Sequence, residues 1–375
     1  MSDTQASLPS RYHRRLHRLL QLGSWTTMGV IGFILVGLPI SAGAFPLEQT
    51  TIRLSVFWLA TGGSWLLCSV LLARGSRLRL LQGGALLTLV ALWSWEITPP
   101  QQQTPLLAFA SMGFGITLLN LGVTTLTAAL PTNPRDRVSW LGSGIGGGIG
   151  CLSSIPFAHT AFILLIMLIF GSIIWLAHQL PDPPGPRPAP AGITALRQAS
   201  HDVPFLRSTW TQGLQGALVS EIALRPAPHA PWQTGFALLG SLAMLWTGAW
   251  VGQMLLSQRT SVPHWQIGGW VFAASAWLWA TTTTSSVASL ACLGSCFCLS
   301  LACAPYLPSP AWGDLSFAVR LGLMGALPAL SNGVGVALLP AMPLSVFAVP
   351  LAFTLAVDYI KPPGRPLTPP PLRHP

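Results

Sequence analysis

The chain has 375 residues, of which 51% are hydrophobic and only 7% are charged, and its mean hydropathy is +0.57. A soluble globular protein carries about 25% charged residues, so this composition excludes an ordinary soluble domain. The net charge of +10 does not indicate a nucleic-acid-binding protein, because the basic residues are spread thinly and form no basic face interleaved with aromatic residues.

Twelve apolar stretches follow one another along the chain, each close to the roughly 20 residues that a helix needs to cross the hydrocarbon core. Helices satisfy their backbone polar groups internally, so helices are the expected spanning element. The sequence therefore predicts an all-α integral membrane protein with twelve transmembrane helices in two six-helix halves. The predicted spans are 25–45, 54–73, 79–98, 106–130, 138–157, 160–180, 208–224, 233–256, 264–282, 286–307, 315–338 and 343–360.

The segments between and beyond these spans divide the chain into five parts. Residues 1–24 are basic and amphipathic, and we expect them to lie on the inner headgroups. The amino-terminal half is 25–180 and the carboxyl-terminal half is 208–360. The proline-rich stretch 181–207 predicts a cytoplasmic linker between the halves, and the tail 361–375 is of a composition typical of disorder.

The distribution of basic residues predicts the orientation. Most of the 19 Lys and Arg residues fall in alternate gaps between the spans, together with both termini and the long linker. Basic loops face the cytoplasm, so both termini are predicted to be cytoplasmic, in a multi-pass protein of a bacterial inner membrane. The even number of crossings that this requires supports the seventh span, which is the weakest of the twelve.

Polar residues inside predicted spans mark candidate functional positions, since they are costly in lipid. In the fourth span they share one helical face, and in the seventh two glutamines share a face with a glutamate near the outer end. These residues either line a pathway or form helix–helix hydrogen bonds. They are Thr117, Asn120 and Thr124 in the fourth span, and Gln212, Gln215 and Glu221 in the seventh.

Two loop sequences and one glycine-rich span resemble motifs of the major facilitator superfamily. After the second span, Ser69 to Leu78 keeps the spacing of two motif arginines, Arg74 and Arg77, although Ala73 stands at the acidic position. After the fourth span, the sequence from Leu130 to Gly142 resembles that family's region between spans four and five and contains Arg135 and Arg137. The run from Leu141 to Gly150, with Gly144, Gly147 and Gly148, is similar to a glycine-rich fifth helix of some exporters.

The resemblance implies two six-helix bundles that rock around a central site, lined by spans one, four, seven and ten. The polar residues of spans four and seven would then face the pathway, and the arginines and glycines of the motifs would act in the conformational change. Of nine acidic residues, Glu96 and Glu221 lie at the outer ends of spans, and Asp314 and Asp358 lie near the inner ends of spans eleven and twelve. A proton relay deep in the membrane is therefore not expected.

We expect a secondary transporter that moves a neutral or hydrophobic small molecule out of the cell. We expect it to be a monomer whose cytoplasmic side contacts the anionic headgroups of the inner leaflet. The alternative is a carrier-derived protein that no longer transports and serves as a membrane scaffold or assembly factor, with a membrane complex as its partner. We do not expect the protein to be an enzyme, because its sequence contains no metal triad, nucleophile–base pair or carboxylate pair at a spacing that catalysis could use. We also expect no cofactor and no metal.

Overall fold

A computed structural model describes most of the first half of the chain and scattered residues of the second. The continuous stretches are 10–41, 47–72, 76–97, 106–127 and 156–181. In the second half it describes helical residues 240, 243, 244, 247, 248, 251, 271, 275, 294, 298, 326, 329, 330, 332–334, 336 and 337. Every regular element within these ranges is helical.

Five helices occupy the continuous stretches: α1 (Ser10–Ser41), α2 (Leu47–Leu72), α3 (Arg77–Ile97), α4 (Leu106–Thr127) and α5 (Pro156–His178). Local sequence sets two of their starts. The Ser76 hydroxyl accepts a hydrogen bond from the Arg79 backbone N–H at 3.3 Å, which caps α3. α5 begins at Pro156, because the missing N–H of proline costs nothing in a first helical turn.

α1 is longer than the first predicted span. It has 32 residues, which at 1.5 Å per residue gives about 48 Å and exceeds the roughly 30 Å hydrocarbon core. The amphipathic stretch and the first span therefore form one continuous helix from Ser10. The apolar face of this stretch, including Tyr12, Leu16 and Leu19, is buried against the protein. The predicted position of residues 1–24 on the lipid headgroups is therefore not what the structure shows for this face, which packs against the protein and not among lipids.

α4 lies at the centre of the described helices and packs against α1, α2 and α3, while α5 packs against α1 and α3. α3 approaches α4 closely at Gly84, where an added Cβ would lie 2.7 Å from the Gly115 carbonyl oxygen. Small residues at such positions allow van der Waals packing between membrane helices. Near the other end, Trp95 of α3 stacks between Phe33 of α1 and Phe109 of α4, at ring distances of 5.5 and 5.7 Å.

Contacts between sequence-distant residues align one end of these helices. Gly23 packs against Val123, the Gln82 side chain donates to the Ile174 carbonyl at 3.2 Å, and Tyr12 bonds to Pro181. α1 and α3 therefore begin, and α4 and α5 end, at the same side, which we call the basic end because it carries the arginines of α1 and α3.

Large apolar side chains cover the outside of α2, α3, α4 and α5. Such a surface is unfavourable in water and favourable in lipid. The segments Arg77–Trp95 and Leu106–Leu126 are each long and apolar enough to cross a membrane. The exposed apolar residues include Leu67, Leu86, Val90, Trp93, Ile97, Leu107, Leu164, Leu165, Leu168 and Trp175.

Candidate functional site

Three of the predicted pathway residues lie in α4, and the first of them, Thr117, lies in a helix interface. The Thr117 side chain is fully buried. Its hydroxyl lies 2.9 Å from the Gly113 carbonyl one turn back and 3.1 Å from the Thr61 carbonyl of α2. The geometry at Thr117 is therefore that of a helix–helix hydrogen bond between α2 and α4.

Asn120 and Thr124 form a separate polar pair on α4, one turn apart and both half-buried. The Thr124 hydroxyl donates to the Asn120 carbonyl at 2.8 Å and lies 3.4 Å from the Asn120 Oδ1. A threonine that bonds to the carbonyl four residues earlier satisfies its hydroxyl within the helix. The pair thus places a neutral amide and a hydroxyl at a half-buried position of α4.

The remaining predicted positions are mostly outside the described residues. Arg77 is described: it is half-buried and is the first residue of α3 at the basic end. The others lie in parts of the chain that the structure does not describe. They are Gln212, Gln215 and Glu221 of the seventh span, Arg74, Arg135 and Arg137 of the loop motifs, and Gly144, Gly147 and Gly148 of the fifth span.

A buried arginine in α2 is a position that sequence reasoning missed. Arg53 directly precedes the predicted span 54–73, but it lies inside α2 and only 3% of its surface is exposed. A cation inside a membrane helix is costly and marks a functional position by default. One feature of the sequence could have identified Arg53: no other Lys or Arg occurs between Arg18 and Arg74.

Two tryptophans of α2 lie one heptad apart and so share one stripe of that helix. The Trp58 indole Nε1 is buried and makes no hydrogen bond to any described residue. Trp65 is 6% exposed and packs with Leu118 and Leu121 of α4 and with Ala326 of the second half. This stripe therefore faces the place where the two halves of the chain meet.

The halves meet directly between α2 and the helical residues of 326–337. A Cβ added at Gly62 would lie 2.8 Å from the Leu330 backbone nitrogen, and one added at Gly333 would lie 3.0 Å from the Leu59 backbone nitrogen. Since 62 lies against 330 and 59 against 333, residue numbers rise along one helix as they fall along the other. The two helices are therefore antiparallel where they touch.

Within the described stretches, no group of three His, Cys, Asp or Glu side chains is placed to hold a metal ion. Cys68 is buried in α2, where it packs with Trp65.

The sequence matches no protein-family model and no curated protein. The structure is similar to solved transporters over nearly the whole chain. A D-xylose–proton symporter aligns with a TM-score of 0.67 at 12% identity, covering 93% of this chain and 98% of that one. A peptide transporter, POT, in complex with sulfate gives 0.67 at 12% identity, with 92% and 94% covered. The nucleoside transporter NupG gives 0.62 at 13% identity, with 92% and 100% covered. The chain therefore has the all-α, twelve-helix fold of the major facilitator superfamily.

Proposed function

We propose that this protein is a secondary transporter that moves a neutral or hydrophobic small molecule by alternating access, in the direction of efflux. The observation that carries the proposal is the fold, which matches sugar, peptide and nucleoside transporters over more than nine-tenths of this chain. Carriers with two repeated halves work by rocking one half against the other around a site near the bilayer midplane. We propose that the protein is not an enzyme.

The antiparallel contact between α2 and 326–337 supports the proposed topology. α2 runs towards the basic end, so the 326–337 segment runs away from it. One further crossing, the predicted span 343–360, would then return the chain to the basic end, where α1 begins. This arrangement supports both termini on one side, and the basic residues there make that side cytoplasmic.

The chemistry of α4 supports an uncharged substrate. No residue of Leu106–Thr127 is ionisable, so this pathway helix can offer a ligand only uncharged groups, among them the amide of Asn120 and the hydroxyl of Thr124, and apolar surface. We propose that Gln212, Gln215 and Glu221 face this pair from the seventh span. We propose efflux because an apolar molecule enters through lipid unaided, so that a carrier serves to move it out against its concentration gradient.

The loop and glycine motifs complete the proposal. Arg74 and Arg77, together with Arg135 and Arg137, would hold the cytoplasmic loops during the change between states. The glycine-rich fifth span, with Gly144, Gly147 and Gly148, would allow the two halves to slide past each other, as small residues permit close backbone approach. We propose that the transporting unit is a monomer.

Efflux of a fluorescent apolar dye from cells that produce the chain tests the proposal. Asn120→Leu should reduce the efflux rate at least severalfold, since it removes the amide from the proposed pathway. Ser172→Ala is the matched control: Ser172 is exposed on α5, and its hydroxyl bonds only to the Leu168 carbonyl within the helix. Dye efflux equal in cells with and without the chain, across a panel of neutral dyes, would count against transport.

A non-transporting scaffold is the second candidate, and Trp65 favours it. This large side chain is sealed between α4 and the second half, where a moving interface would need to open. Trp65→Ala discriminates between the two. A transporter should lose or change its flux, whereas a scaffold should show no flux in either form and should be recovered with a membrane complex on mild detergent extraction.

A further inference from the structure

The basic end of the bundle carries a band of arginines on a rigid support. On α1, Arg14, Arg15 and Arg18 are exposed, whereas Tyr12 and Leu16 are buried. At the start of α3, Arg79 is exposed and Arg77 is half-buried. All five cations lie at the same end of the described helices.

The depth of this band matches the headgroup layer. Gly23 of α1 packs against Leu81 of α3, which fixes the relative height of the two helices. At 1.5 Å per residue, Arg79 and Arg18 lie about 3 and 8 Å beyond that level, and Arg15 about 12 Å beyond it. The three heights thus differ by about 9 Å, which is close to the roughly 5–8 Å thickness of the polar layer of one leaflet.

The sequence around these arginines is strongly basic, and the acid that follows α5 most closely is Asp182, next to Pro181. Residues 4–47 and 49–95 contain no Asp or Glu, and α5 contains none either. A surface of this kind attracts anions, and each basic residue near an anionic leaflet contributes about 1 kcal/mol to the attraction. Arginine in particular binds phosphate through two parallel hydrogen bonds.

The extension that carries three of these arginines is fixed to the rest of the first half. The Tyr12 hydroxyl donates to the Pro181 carbonyl at 3.0 Å, just beyond α5. Leu19 and Leu20 are buried in the same apolar cluster as Leu180. An amphipathic helix that floated on the membrane would bury this face in lipid instead. Here the apolar face of the extension packs against the rest of the first half, so the arginines are held at fixed positions.

We propose that the α1 extension and the start of α3 form a binding site for the phosphate headgroup of an anionic lipid of the adjoining leaflet. The phosphate binds to the exposed guanidinium groups of Arg15 and Arg18 of α1, with Arg79 of α3 at the same end of the bundle, and the acyl chains lie along the exposed apolar surface. Such a bound lipid fixes the height of the first half in the bilayer. The site is independent of whether the protein transports.

Native mass spectrometry of the full-length protein in mild detergent tests the site, with phosphatidylglycerol and phosphatidylcholine added in separate samples. The wild type should retain phosphatidylglycerol and show a raised apparent Tm in its presence, and phosphatidylcholine should do neither. The Arg15→Gln/Arg18→Gln variant should lose most of the retained phosphatidylglycerol and of the Tm shift. The matched control is Arg365→Gln/Arg373→Gln, which removes the same charge from the carboxyl-terminal tail and should behave as the wild type.

Three results would overturn the proposal. The first is equal retention of phosphatidylglycerol by Arg15→Gln/Arg18→Gln and the wild type. The second is equal retention of phosphatidylcholine and phosphatidylglycerol, which would indicate binding through acyl chains alone. The third is an equal Tm shift from soluble glycerol phosphate, which would indicate a site for free phosphate esters. If the double variant does not fold, the single variants are measured, and unchanged retention in both has the same meaning.

Discussion

The contact between the halves at Gly62 gives the sharpest prediction. A methyl group there would lie 2.8 Å from the Leu330 backbone nitrogen and 2.9 Å from the Ala326 carbonyl oxygen. Neither is a flexible side-chain end, so Gly62→Ala requires the helices to separate by roughly 0.6–1.2 Å, to the usual contact distance of about 3.5–4 Å. Overpacking of this kind costs about 1–3 kcal/mol.

Gly63→Ala is the matched control, because a Cβ at Gly63 meets nothing within 4 Å. Both variants gain the same helix propensity, about 1 kcal/mol in favour of alanine, so their difference isolates the clash. Thermal unfolding of the purified protein in mild detergent should give a lower apparent Tm for Gly62→Ala than for Gly63→Ala.

The reciprocal variant sharpens the test. Gly333→Ala should also lower the Tm, since its Cβ would lie 3.0 Å from the Leu59 backbone nitrogen. The Gly62→Ala/Gly333→Ala double variant should show a smaller decrease in Tm than the sum of the decreases in the two single variants, because one separation of the helices relieves both clashes. Equal Tm values for Gly62→Ala and Gly63→Ala would refute the packing argument.

The remaining predictions concern two hydrogen bonds. Tyr12→Phe removes the bond to the Pro181 carbonyl and should destabilise the protein by about 1 kcal/mol, seen as a lower apparent Tm; an unchanged Tm would show that the bond contributes nothing. Thr117→Val removes the bond to the Thr61 carbonyl and should cost about 0.6 kcal/mol, with dye efflux unchanged. Loss of efflux in Thr117→Val with a normal Tm would place this hydroxyl in the pathway beside Asn120.

Much of the fold was predictable because the hydrophobic signal of a membrane helix is local. The predicted spans 79–98 and 106–130 correspond to α3 (Arg77–Ile97) and α4 (Leu106–Thr127), and their starts agree within two residues. The all-α, twelve-helix fold, which the number of spans and the resemblance to the major facilitator superfamily predicted, is confirmed by the similarity to solved transporters.

The candidate site was less predictable, because a helical face shared in sequence does not fix what that face touches. Thr117 and Asn120 lie on one side of the predicted span, yet Thr117 is sealed against α2 while Asn120 is half-buried. Arg53 was assigned to a loop because an arginine lowers the local hydropathy, whereas the structure buries it inside α2. The predicted positions in the fifth and seventh spans remain predictions.

The sequence alone determined that this chain forms helices that cross a membrane, because each helix satisfies its own backbone in lipid and needs only about 20 apolar residues to do so. Tertiary structure alone decided which residues meet. The fusion of the amphipathic stretch to α1 depends on the burial of Tyr12 and Leu16, and the contact of Gly62 with Leu330 joins positions 268 residues apart. Such contacts depend on the shapes of two distant surfaces at once, which no local pattern of hydropathy encodes.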